Sequence, residues 1–138
     1  MKSYELIDHT ADIGIRAFGK TLEELFRNAA VGMFELMAEL DNVDPTEGKT
    51  IALTSETLED LYLFWHQELL FRASVDHMLY KEFLFDTLTE RSLKARIRGE
   101  GIHFEKHRLK KEVKAVTYHE LKVQKTEAGW VGEVIFDI

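Results

Sequence analysis

The chain has 138 residues, 45% hydrophobic and 31% charged, with a formal net charge of −7 and no cysteine. That length suits a single domain with a sizeable core, residues 1–138, and the missing cysteine excludes disulfides, thiol nucleophiles and thiolate zinc sites. An acidic balance argues against general nucleic-acid binding, since neutralising phosphates takes clustered cations. The charge is uneven, however. Residues 1–90 hold 7 Lys and Arg against 18 Asp and Glu, whereas residues 91–138 hold 11 against 7. The basic third is read first as a solvated face; a nucleotide, an RNA or an acidic partner surface would also suit it. No stretch approaches the roughly 18 apolar residues of a membrane span. Met1-Lys2-Ser3-Tyr4-Glu5 lacks the apolar run of a secretory signal, so a cytoplasmic protein is expected.

In chain order, residues 2–8 alternate loosely and lead into Asp8-His9-Thr10-Ala11-Asp12-Ile13-Gly14. Ile13 to Phe18 reads as a strand leaving through Gly19-Lys20. Thr21-Leu22-Glu23-Glu24 is a capping box, and Leu22, Leu25, Phe26, Ala29, Ala30, Met33, Phe34 and Met37 follow on one helical face. Asp41 to Lys49 is a loop holding the only proline, and Thr50 to Leu53 a short strand. Thr57 and Asp60 start a second helix, expected from Leu58 to about Val75. Its apolar face is broadened by Leu63, Phe64, Leu70 and Phe71, enough to suggest burial on two sides. Beyond Asp76 the period moves from 3.6 towards 2. Strands are expected over Glu82 to Leu88, Leu93 to Arg98, Val113 to Thr126 and Trp130 to Phe136. Gly99-Glu100-Gly101 reads as a turn, Lys106 to Lys111 as a basic loop or edge, and Glu127-Ala128-Gly129 as a hairpin. The sum is an α+β fold, a single two-layer domain in which two principal helices lie on a mainly antiparallel sheet.

Several chemistries fail on spacing. Gly48-Lys49-Thr50 imitates the end of a phosphate-binding loop, but Val43 stands where the upstream glycine belongs. His119-Glu120 starts a zinc-protease pattern that Val123 ends. His103 and His107 lie four apart in a segment too basic to concentrate a divalent cation. On a strand Thr117 and His119 would share a face as a nucleophile and its base, but no acid is at hand to orient them, and ordinary cross-strand pairing is favoured. The two ends of the chain are better placed. Asp8, His9 and Asp12 at one end, with Asp137 and the Ile138 carboxylate at the other, are mostly hard oxygen donors suited to Ca²⁺ or Mg²⁺. The alternative is a capped turn and a last strand that happens to end in Asp.

Taken together, Asp8-His9-Thr10-Ala11-Asp12-Ile13, Gly19-Lys20-Thr21-Leu22-Glu23-Glu24-Leu25-Phe26, Met33-Phe34, Lys114-Ala115-Val116-Thr117-Tyr118-His119 and Ile135-Phe136-Asp137-Ile138 resemble archease, in the family's order and over essentially the whole chain. The resemblance implies a non-catalytic partner of an RtcB-type RNA ligase in tRNA splicing and RNA repair. The partner promotes the guanylylation of a ligase histidine with GTP and so sustains multiple turnover. It also implies a metal site made of Asp12, Asp137 and the Ile138 carboxylate, with Lys114 as the residue that activates the partner. Asp8 and His9 become supports around that site. The expected ion is a divalent metal, calcium before magnesium or manganese. Two alternatives stand beside this reading: a chaperone or modulator of a tRNA methyltransferase, and a metal-dependent phosphotransferase or hydrolase using Asp12, Asp137 and His9.

Overall fold

A computed structural model describes residues 2–8 and 12–138. Among them the order is β1 (Tyr4–Asp8), β2 (Asp12–Gly19), α1 (Leu22–Met37), β3 (Glu47–Thr54), α2 (Leu58–Asp76), β4 (Met78–Leu88), β5 (Ser92–Gly101), β6 (Ala115–Thr126) and β7 (Gly129–Asp137). Every strand pair is antiparallel. The α+β class with two principal helices holds. The strands form two sheets, ordered β1-β2-β7-β6 and β3-β5-β4, and the helix pair packs against both.

Both helices begin as the capping residues require. Thr21 and Thr57 are extended, and their hydroxyls accept the Glu24 and Asp60 amide protons at 3.2 and 3.1 Å. The acids of each first turn sit at the positive end of the helix dipole. Helix α2 ends at His77 in the left-handed region, where its N–H donates to the Ala73 carbonyl.

The apolar pattern of α2 accounts for the second sheet. Leu61, Tyr62 and Leu63 are buried in succession, as are Trp65 and His66, and no single stripe accommodates neighbours in that way. Trp65 meets Phe83 and Phe85 of β4 at ring separations of 6.0 and 5.1 Å, while His66 meets Phe136 of β7 at 6.0 Å. One flank of α2 thus faces each sheet. Burying each such large side chain contributes about 1.5–3 kcal/mol, so this double packing helps hold the two sheets together.

Several expectations change. Strand β3 begins at Glu47, inside the stretch Asp41 to Lys49 read as a loop, and β4 begins at Met78, not Glu82. Gly99-Glu100-Gly101 is the end of β5, not a turn. Gly99 lies so near β4 that a Cβ there would stand 1.8 Å from the Leu79 carbonyl oxygen, so glycine here serves close backbone approach. Strand β6 is interrupted: its register with β7 shifts between Thr117 and Lys122, and Glu120 adopts φ 52°. Phe71 is 56% exposed although Leu70 beside it is buried. The basic loop after β5 is held by main-chain bonds from Glu39 to Arg108 and from Lys110 and Lys111 to Met37 and Leu36.

Candidate functional site

Register builds the site. Strand β2 pairs with β7 so that Asp12 faces Asp137, and β7 pairs with β6 so that Ala115 lies on the other side of Asp137. The next pair inward, Ile13 and Phe136, is buried at 2% and 0% exposure. Side chains alternate along a strand, so Asp12 and Asp137 project from the outward face of the first sheet. Directly opposed residues hold their Cβ atoms about 4.5–5.5 Å apart, and like charges so placed repel. Further along the same face the pairing is complementary. Arg16 reaches Glu133 at 2.6 Å and Glu5 at 2.7 Å. At the tip, two carboxylates replace that match. Asp12 Oδ1 is buried and has no hydrogen-bond partner among the described residues. Asp137 is exposed, and Ile138 follows it half-buried.

Lys114 comes to the same end. Its N–H donates to the Asp137 carbonyl at 2.8 Å, and its side chain is exposed. The fold therefore gathers Asp12, Asp137, Ile138 and Lys114 from both ends of the chain and the start of β6. Asp8 lies opposite Ile13, and alternation turns it to the face away from Asp12. His9 lies outside the described residues. Among the described residues no cluster of three or more His, Cys, Asp or Glu side chains is arranged to hold a metal. An ion held by the two aspartates would have to take its further donors from outside this set of side chains.

Beside Lys114 runs a groove of about 340 Å³ between α2 and β6, lined by Gln67, Leu70, Phe71, Ser74, Lys114, Ala115 and Val116. Sequence reasoning missed it, because Phe71 fits the apolar spacing of α2 and nothing local says that its side of the helix stays uncovered.

The other candidate pairs have structural occupations. The Thr117 hydroxyl donates to the Ile135 carbonyl at 3.0 Å and accepts the His119 amide proton at 3.2 Å, so the contact that joins Thr117 to His119 is made by backbone and not by an imidazole base. His107 lies against Glu100, Nε2 to Oε2 at 3.0 Å, and its Nδ1 accepts the His103 amide proton. Lys106 bridges Glu100 and Asp44 at 2.9 and 2.8 Å. The Asp44 amide, Lys106 and His107 together hold the Glu100 carboxyl at about 2, below its ordinary 4.5. These groups staple the loop after β5 to the loop before β3.

Three comparisons place the chain. A model of the Archease protein family matches residues 4–138. A protein archease from Methanosarcina mazei is 39% identical over 141 residues, covering 99% of this chain and 97% of the relative. The solution structure of a Methanobacterium thermoautotrophicum protein, 36% identical, superposes with a TM-score of 0.86 over all of both chains. The crystal structure of an archease, described as a possible chaperone, from Thermotoga maritima is 26% identical, with a TM-score of 0.64 over 96% of this chain and 94% of that one. The chain belongs to the archease family.

Proposed function

We propose that this protein is a non-catalytic cytoplasmic activator of an RtcB-type RNA ligase, acting in tRNA splicing and RNA repair through a metal-binding acidic tip. The observation that supports it best is the register that sets Asp12 directly against Asp137. A divalent cation would relieve the repulsion between the two carboxylates and give the buried Asp12 Oδ1 a partner. The donors are hard oxygens, which favours calcium, with magnesium or manganese as substitutes. Asp12 and Asp137 would hold the ion, and the carboxylate of Ile138 is the proposed third donor. An ion so held supplies positive charge at an exposed tip that can meet a nucleotide phosphate in a partner's pocket. Lys114, tethered to Asp137 through its amide, adds a second positive charge for a phosphate or carboxylate there. Helix α2 and the groove beside Lys114 lie next to this tip and give a partner an apolar surface to rest on.

The deciding experiment is ligase guanylylation and multiple-turnover RNA joining, with and without this protein. Stimulation by the wild type and none by Asp12→Asn or Asp137→Asn is expected; full stimulation by both variants would refute the proposal. A short tail added after Ile138 should also weaken it, because the third carboxylate moves. A second reading, a chaperone or modulator of an RNA-modifying enzyme such as a tRNA methyltransferase, draws support from the exposed Phe71, Val75 and Tyr118 and from the description of the Thermotoga maritima relative. Suppressed methyltransferase aggregation without any ligase effect would favour it. Turnover of GTP or RNA by the protein alone would instead favour a metal-dependent phosphotransferase or hydrolase.

A further inference from the structure

The outward face of the second sheet carries a row of cations that the acidic tip does not use. Strand β5 is the centre of that sheet, with Leu93, Ala95 and Ile97 buried inward. Between them Lys94, Arg96 and Arg98 point outward and are exposed. Alternate strand positions repeat about every 6.8 Å, a spacing comparable to that of successive phosphates along an extended single strand. On the β3 side their opposite numbers are Ala52, Thr50 and Gly48, which are small and uncharged. The result is a shallow groove of about 260 Å³ lined by Gly48, Lys49, Thr50, Leu84, Arg96, Ile97 and Arg98, with no carboxylate in its lining.

The acids of this region are on β4 and at the end of α2. On β4, Glu82 stands directly opposite Arg98, and Asp86 holds Arg96 at 3.2 Å. Asp76 at the end of α2 holds Lys49 at 2.9 Å. The Arg98 Nε–H donates to the Pro45 carbonyl at 3.1 Å, which orients the guanidinium and leaves its terminal nitrogens available. Among the described residues neither Lys94 nor Arg98 closes an ion pair within 4.0 Å, although Glu82 faces Arg98 across the strand pair. A net-acidic protein thus keeps an oriented cationic strip beside an acid-free channel, on the sheet opposite its acidic tip.

We infer that this face is a binding track for the phosphate backbone of single-stranded RNA. One row of cations follows one backbone, and the absence of an outward aromatic on β5 or β3 removes base stacking, so recognition is independent of sequence and sensitive to salt. The choice of RNA over DNA rests on the function proposed above; the track itself rests on the charge pattern. Thr50 stands directly opposite Arg96 and lines the groove.

The test is fluorescence anisotropy of a labelled 12-nucleotide RNA of mixed sequence with the full chain and no ligase, at low salt. Binding in the micromolar range or weaker, with a log–log salt slope near −2 for three contacts at about −0.7 each, is expected. The triple variant Lys94→Ala, Arg96→Ala, Arg98→Ala should lose at least tenfold in affinity, as should Thr50→Glu, which places a carboxylate in the channel without removing a cation. Circular dichroism checks that both remain folded. No binding by the wild type, or undiminished binding by both variants, would overturn the inference. Guanylylation of the ligase with GTP, which uses no RNA, separates the two proposals. The triple variant should still stimulate it, and Asp12→Asn should fail there yet bind RNA normally.

Discussion

Each sheet carries a cluster of like charge on its outward face, acidic on the first and basic on the second, by different means. In the first, Asp12 and Asp137 come from strands 125 residues apart, and only pairing β2 with β7 makes them neighbours. In the second, Lys94, Arg96 and Arg98 are alternate residues of one strand, and the outward placement follows from a period of two. The first sets two carboxylates directly against each other, a like-charge pair that repels. The second is partly balanced by Asp86 and asks for little. Repulsive charge held by long-range register is costly to keep, which makes it the stronger pointer to function.

The largest effect is expected at Gly99. A Cβ 1.8 Å from the Leu79 oxygen and 2.7 Å from Tyr80 Cα leaves β4 and β5 no room, so Gly99→Ala should lose upwards of about 3 kcal/mol in urea denaturation. A loss under about 1 kcal/mol would show that the second sheet is looser than its register implies.

His66 tests the side of α2 facing the first sheet. Its Nδ1–H donates to the Tyr62 carbonyl at 2.8 Å, and complete burial lowers its basicity from 6.5 to about 4. Protonation then favours the unfolded chain, so stability is full above pH 6.5 and falls as the pH drops to about 4, by roughly 3 kcal/mol. Glu100, on the second sheet, has its acidity strengthened, so its contribution is present above pH 4.5 and is lost as the pH falls to about 2. Denaturation midpoints against pH should show both steps. His66→Phe should remove the upper one and Glu100→Gln the lower, assigning one to each sheet. A single step surviving in both variants would undo that assignment.

A smaller effect is expected at the tip. Adding calcium to metal-free protein at 100 times its dissociation constant should stabilise the wild type by about 2.7 kcal/mol, and Asp12→Asn should abolish the gain. In metal-free buffer the same variant should be more stable than wild type by about 0.5 kcal/mol, since a like-charge pair is gone. Differential scanning calorimetry measures both. The smallest effect belongs to Lys114→Ala, an exposed site expected to shift stability by less than about 0.5 kcal/mol while removing ligase stimulation.

Much of the local structure is legible in the residues themselves. Thr21 and Thr57 announce both helix starts, because a capping hydroxyl and the amide it serves are three residues apart. The alternation around Arg96 announces its strand for the same local reason. The bulge after Thr117 is not legible. No glycine or proline in Thr117 to Leu121 marks it, and the interruption arises from how β6 meets β7. Nor is the role of Gly99, since a glycine demanded by a neighbouring strand reads like a glycine demanded by a turn. The aspartates show the division most clearly. The carboxylates at the two ends of the chain, together with the family resemblance, single out Asp12 and Asp137 in the sequence. Only tertiary structure decided that they stand face to face with Lys114 beside them. Antiparallel register is set by the burial of Ile13, Ile15, Val134 and Phe136 against the helices, and a slip of one residue would turn every side chain to the other face.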